Sequence, residues 1–145
     1  MKALIQRVKK ASVVINGELY SEIGMGLLVL LGIRKGDEKV NAEKLSNKLV
    51  RLRIFEDENK KMNRSLSDIN GEMLVVSQFT LYGDCKKGTR PGFDNAAEPI
   101  RANELYEYFI SCVKGLNIQC KTGKFGAMMD VELVNDGPVT FMVEK

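Results

Sequence analysis

Leu4 to Ile23 reads LIQRVKKASVVINGELYSEI, and near its middle stands a two-residue turn signal, Asn16-Gly17. Asn-Gly accepts the positive φ that a tight hairpin turn requires at both central positions. The stretch therefore reads as two strand pieces, Leu4 to Val8 and Ser12 to Ile15, returning through Leu19 to Ile23. A hairpin here commits the sheet to antiparallel pairing from its first strands, because parallel neighbours need a crossover of a dozen or more residues. Beyond it, Gly24 and Gly26 bracket a bend, and Leu27 to Ile33 follows as an apolar strand buried on both faces.

Asp37 to Arg53 carries Ala42, Leu45, Leu49 and Leu52 at spacings of three and four, with Lys44, Asn47 and Lys48 between them, which predicts an amphipathic helix lying on the sheet. Glu56 to Asn63 is dense in charge and reads as a loop, and Asn70-Gly71 as a turn. Pro99 suits the first turn of a second helix, whose Ala102, Leu105, Phe109 and Cys112 form its apolar stripe. In the tail, Met129, Val131 and Leu133 share one face and Val139, Phe141 and Val143 another, which predicts two strands separated by a turn at Asn135 to Pro138. Strands in hairpins with two intervening helices imply a single α+β domain spanning residues 1–145. Its sheet is mostly antiparallel and barrel-like, with the two helices on the sheet faces.

Composition bounds the chemistry. The 145 residues are 44% hydrophobic and 28% charged, with a net charge of +3, a globular composition and too mild a charge to coat nucleic acid by electrostatics alone. No apolar run is long enough to cross a bilayer, and the start, MKALIQRVKK, lacks the apolar core and cleavage site of a signal peptide. The expected location is the cytoplasm. Cys85, Cys112 and Cys120 are odd in number and lack CxxC spacing, which argues for free thiols over a disulfide framework or a zinc site. The chain has no histidine. That removes Ser-His-Asp and Cys-His nucleophiles and the usual metal sites, and leaves carboxylates, hydroxyls, main-chain amides or a group borrowed from the substrate.

The segment Glu72 to Asp84, EMLVVSQFTLYGD, begins as a buried strand at Leu74, Val75 and Val76. It then places Ser77, Gln78 and Thr80 within four residues. Two readings are open from these residues alone: a strand edge whose hydroxyls bond nearby backbone, or a polar cluster at the mouth of a strand that holds a ligand. Lys86, Lys87 and Arg90 follow it directly, and Lys121 and Lys124 precede Phe125, so positive charge either flanks the same site or forms ordinary solvated surface.

Taken together, Ser77-Gln78-Phe79-Thr80 and Asn135-Asp136-Gly137-Pro138-Val139-Thr140 resemble the signature of the D-aminoacyl-tRNA deacylases. Gln6-Arg7-Val8, Leu52-Arg53-Ile54-Phe55, Lys61-Met62-Asn63 and Arg90-Pro91-Gly92-Phe93 extend the likeness over nearly the whole chain. The resemblance implies a homodimeric hydrolase, without cofactor or metal, that cleaves the ester between a D-amino acid and the terminal adenosine of tRNA. It extends to glycine, as in glycyl-tRNA mischarged on tRNA-Ala. It implies a cis bond at Gly137-Pro138, although only about 5–6% of X-Pro bonds in folded proteins are cis. That pair would enter the partner's pocket at the subunit interface, where its main-chain carbonyls would hold the substrate amino group and leave no room for an L side chain. By the same resemblance Ser77, Gln78, Phe79 and Thr80 form the catalytic pocket, Phe125, Gly126 and Met129 contact the adenosine, and Arg7 lies near the Gly-Pro loop. Two roles for Thr80 remain: a nucleophile, or a neighbour of main-chain N–H groups that stabilise the oxyanion while water attacks. The rival to an enzyme is a non-catalytic dimer that binds RNA 3′ ends or nucleotides.

Overall fold

The computed structural model describes all residues, 1–145. Its first strand, β1 (Lys2–Ile15), runs through the positions that sequence splits in two. Lys9 and Lys10 are exposed and interrupt the apolar pattern, yet the backbone remains extended through them. Asn16 and Gly17 both adopt positive φ and return the chain as β2 (Glu18–Ile23), antiparallel to β1. β3 (Gly26–Gly32) pairs antiparallel with β1 along Lys2 to Val8.

Two crossovers then complete a mixed sheet. Helix α1 (Lys39–Arg51) carries the chain to β6 (Glu72–Ser77), which lies parallel to β3. Helix α2 (Pro99–Gly115) carries it to β7 (Cys120–Thr122), parallel to β6. Antiparallel pairing therefore dominates around β1, and parallel pairing occurs where helices intervene, as chain length requires. The far ends approach one another: Ser21 Oγ of β2 donates to Thr122 O of β7 at 2.8 Å, so the sheet is nearly closed as a barrel.

Alternation along the strands divides the apolar residues between two clusters. Leu27, Val29, Leu31, Met73 and Val75 meet Ala42, Leu45 and Leu49 of α1 and Leu105, Phe109 and Val113 of α2. Leu28, Leu74 and Val76 face the other way, into a smaller cluster with Val8, Ala11, Val13 and Ile23. Both helices thus lie side by side over one face while the other curls on itself. Cys112, expected in the α2 stripe, is only half-buried at its margin, and Tyr106, Ile110 and Val113 carry that face instead.

Two expectations are corrected. The charged segment after α1 is not simply a loop, because β4 (Phe55–Glu56) and β5 (Met62–Arg64) form a short antiparallel ribbon around it. Its tip is stabilised by Asp57, whose carboxylate accepts from the Asn59 and Lys61 N–H groups and from Asn63 Nδ2. The tail is also not a hairpin. β8 (Asp130–Glu144) is one long strand, and both halves pair antiparallel with β1. Residues 135–138 make an excursion within that strand: Asn135 pairs with Val8 and Thr140 with Gln6, so Asp136 to Val139 all stand opposite Arg7. The turn chemistry that suggests a reversal produces a large bulge instead.

Candidate active site

β6 ends at Ser77, and the chain tightens into a single 3-10 turn, Phe79–Tyr82. Gln78 N–H still donates to Leu31 O at 2.8 Å, which holds the start of the turn against β3. Gly32 makes this approach possible: a Cβ there would lie 3.1–3.2 Å from Leu81 Cβ, Gln78 O and Tyr82 Cδ2, tighter than ordinary packing. The first hydrogen bond of the turn runs from Leu81 N–H to Gln78 O. The N–H groups of Phe79 and Thr80 therefore come before any acceptor the turn can supply.

Beside the turn is a pocket of about 660 Å³. Ser77, Gln78, Phe79 and Thr80 form one wall, and Phe125, Gly126 and Met129 another, with Leu31, Ile33, Pro99 and Ala102 among the apolar residues beneath. None of its lining side chains titrates. Its polar side chains are one hydroxyl at Ser77, one amide at Gln78 and one hydroxyl at Thr80, and Gln78 Nε2 donates to Thr80 Oγ1. Phe79 is 58% exposed at the mouth and meets Phe93 edge to face at 5.0 Å.

The opposite wall is fixed from below. Phe125 packs on the Tyr106 ring at 5.8 Å, and Tyr106 OH donates to Val75 O at 2.8 Å. Burial raises the Tyr106 pKa well above the ordinary phenol value, so the hydroxyl remains a donor. The Lys124 N–H meets Met129 Sδ at 3.3 Å. Gly123 leaves room for that sulfur, since a Cβ would approach it to 2.8 Å. Gly126 turns the chain with φ +73°.

Arg7, Gly137 and Pro138 are not part of this pocket. They form a second constellation on the β1–β8 pair. The Gly137-Pro138 bond is cis, and both residues are exposed. Arg7 is no surface strand residue, being 4% exposed. Its Nε donates to Asp136 O at 3.0 Å, its Nη1 donates to Ile54 O at 2.7 Å, and the Asp136 carboxylate lies at 3.1 Å. The bulge is also braced from within. Asn135 Oδ1 accepts from Val139 N–H at 2.8 Å, and Thr140 Oγ1 accepts from Asn135 Nδ2 and Gln6 Nε2 at 2.9 and 3.2 Å. Glu56 Oε1 lies 3.8 Å from Arg7 Nη2; sequence reasoning named Arg7 but missed both Ile54, which acts through its main-chain carbonyl, and Glu56, which stands at the start of the segment read as loop.

Comparison with known proteins places the whole chain in one family. The profile of the family described as D-Tyr-tRNA(Tyr) deacylase matches residues 4–144. The chain belongs to that deacylase family. A protein of Desulfatibacillum aliphaticivorans named D-aminoacyl-tRNA deacylase is 59% identical over 144 residues, 99% of each chain. One of the same name from Bacillus cytotoxicus is 52% identical, again over 99% of both. Among solved structures, one described as c-Myc DNA Unwinding Element Binding Protein aligns with a TM-score of 0.94 at 42% identity, covering 100% of this deacylase-family chain and 99% of the other. A probable eukaryotic D-amino acid tRNA deacylase aligns at 0.84 with 17% identity, over 99% of this chain and 98% of that one, and shares the fold.

Proposed function

We propose that this protein hydrolyses the ester that joins a D-amino acid, or glycine, to the terminal adenosine of tRNA, and that it works in the cytoplasm as a homodimer. The observation that carries the reading is the pocket itself: an apolar cleft with no titratable side chain, walled by a turn whose first hydrogen bond begins only at Leu81 N–H, in a chain of the deacylase family. A side-chain general base has no candidate there. In this mechanism water attacks the ester carbonyl, the Phe79 and Thr80 N–H groups receive the developing oxyanion, and the adenosine 2′-OH relays the proton. Phe125, Gly126 and Met129 hold the adenine, with an aromatic face and a polarizable thioether suited to a flat base.

Chiral selection belongs to the second constellation. Gly137 and Pro138 of one subunit enter the pocket of the other and offer main-chain carbonyls to the substrate amino group. Arg7 fixes the preceding Asp136 carbonyl. An L side chain would collide with this main chain, whereas glycine, having no side chain, passes.

The rival reading is a dimer that binds RNA 3′ ends or nucleotides without cleaving them; the 42% identical solved structure, described as c-Myc DNA Unwinding Element Binding Protein, is named for nucleic-acid binding and not for hydrolysis. Turnover separates the two. With D-tyrosyl-tRNA in large excess over protein, the deacylase releases many equivalents of tyrosine per subunit. Retention of a CCA-ended RNA without release would establish the binding module instead.

A further inference from the structure

The basic residues near the pocket are not used in the ester chemistry above, and their placement suggests a task for them. The chain leaves the 3-10 turn into a loop closed at its base by two backbone bonds, Asp84 N–H to Gly92 O at 2.7 Å and Gly92 N–H to Asp84 O at 3.0 Å. Asp84 Oδ1 also accepts the Lys86 N–H at 2.9 Å, and Gly88, at φ +65°, turns the tip. The loop is held to the pocket mouth by Phe93 against Phe79. Lys86, Lys87 and Arg90 are exposed on it, and none of them takes part in any ion pair of the molecule. Across the pocket, Lys124 directly precedes the Phe125 wall and is likewise exposed and unpaired.

We infer that the closed loop 84–92 is a docking surface for the phosphates of the single-stranded acceptor end of tRNA, with Lys86, Lys87 and Arg90 as its cations and Lys124 receiving the strand on the opposite side. This rests on the deacylase reading and adds the macromolecular half of the substrate to it. A nucleotide seated between Thr80 and Phe125 carries its 5′ phosphate out through a mouth flanked by these cations. Free cations beside a mostly apolar pocket suit a backbone that is polyanionic and indifferent to base identity. The short backbone-closed loop presents the charges without requiring the entire segment to order on binding.

The test compares two substrates, D-tyrosyl-tRNA and the minimal ester D-tyrosyl-adenosine, which lacks every phosphate. In the K86Q/K87Q/R90Q variant, kcat/KM for the tRNA substrate falls about tenfold or more at low salt, and its logarithmic salt slope becomes shallower by about 2, as roughly 0.7 per single-strand phosphate predicts. Hydrolysis of the minimal ester is unchanged. K44Q/K48Q/K60Q, which removes the same charge away from the pocket, alters neither slope nor rate by a comparable amount. Equal loss on both esters, an unchanged slope, or equal loss in the remote variant would overturn the inference. Inactivity of the unaltered protein on both esters would instead overturn the deacylase reading. The docking surface would then stand or fall on the same slopes in direct binding of a CCA-ended RNA hairpin.

Discussion

At the residue scale the account depends on what Thr80 and Gly137 do not do. With no titratable side chain in the pocket, Thr80→Ala loses less than about tenfold in activity, below the scale of losing a proton-transfer group. A substrate ending in 2′-deoxyadenosine is hydrolysed at least about 100-fold more slowly, the usual scale for losing a proton-transfer group. Single-turnover rates on the two substrates check this, and the reverse pattern would make Thr80 the nucleophile. Gly137 sits at φ +138°, and a Cβ there would lie 2.6 Å from Val139 Cγ2 and 2.9 Å from Val139 N. Gly137→Ala therefore strains the bulge, by about 1–3 kcal/mol. Its expected consequence is release of L-tyrosine from L-tyrosyl-tRNA at a rate above that of the unaltered protein. Family likeness singled out Ser77, Gln78, Phe79 and Thr80 and, apart from them in sequence, Phe125, Gly126 and Met129, and the structure brings both sets to the lining of one pocket. The burial of Arg7 was not legible, because its hydrogen bonds run to backbone carbonyls at Asp136 and Ile54, which leave no trace in residue identity, and its carboxylate neighbours Asp136 and Glu56 are brought to it only by the bulge and the ribbon.

At the element scale, periodicity identified the helices and the first hairpin because each buries one regular face. It failed where an element owes its course to its neighbour. Lys9 and Lys10 look like a break in β1, and Asn135 to Pro138 look like a reversal, yet each lies in a strand paired along most of its length with the other. The β4–β5 ribbon is too short and too charged to show a pattern. Tyr106 joins α2, β6 and the Phe125 wall in one contact. Tyr106→Phe removes one buried donor while Val75 O keeps the Gly123 N–H, so it costs about 0.5–1.5 kcal/mol in chemical denaturation. Replacement by alanine, which also empties the space beneath Phe125, costs about 3–5 kcal/mol and raises KM for the adenosine ester.

At the scale of the whole molecule, stability has a plateau bounded by named groups. Burial pushes the Cys120 thiol from 9.0 up to about 11, so the fold holds that proton more tightly than the unfolded chain does. Its contribution is complete below about pH 9 and is lost as pH rises through 11. Burial raises Tyr82 and Tyr106 as well, with the same sign at higher pH. Asp57, lowered chiefly by the Asn63 side chain, and Asp68, lowered chiefly by the Ser65 N–H, act in the opposite sense. What they add is present above 3.8 and lost in acid. Denaturation midpoints against pH are expected to fall from pH 9 to 11, and Cys120→Ala to flatten that limb. The proposed homodimer offers a further check on a filter acting between subunits. Mixed dimers of Gly137→Ala with a Phe79→Ala/Phe125→Ala chain contain one site with an intact pocket and an intact partner loop, so they keep D-ester turnover and lose the L-ester leak. The measurement that tests the central claim most directly is tyrosine release from D-tyrosyl-tRNA and L-tyrosyl-tRNA in parallel, by purified protein with a chelator present. The account predicts rapid, catalytic release from the D-ester and background release from the L-ester; release from neither by folded protein, or from both alike, would contradict it.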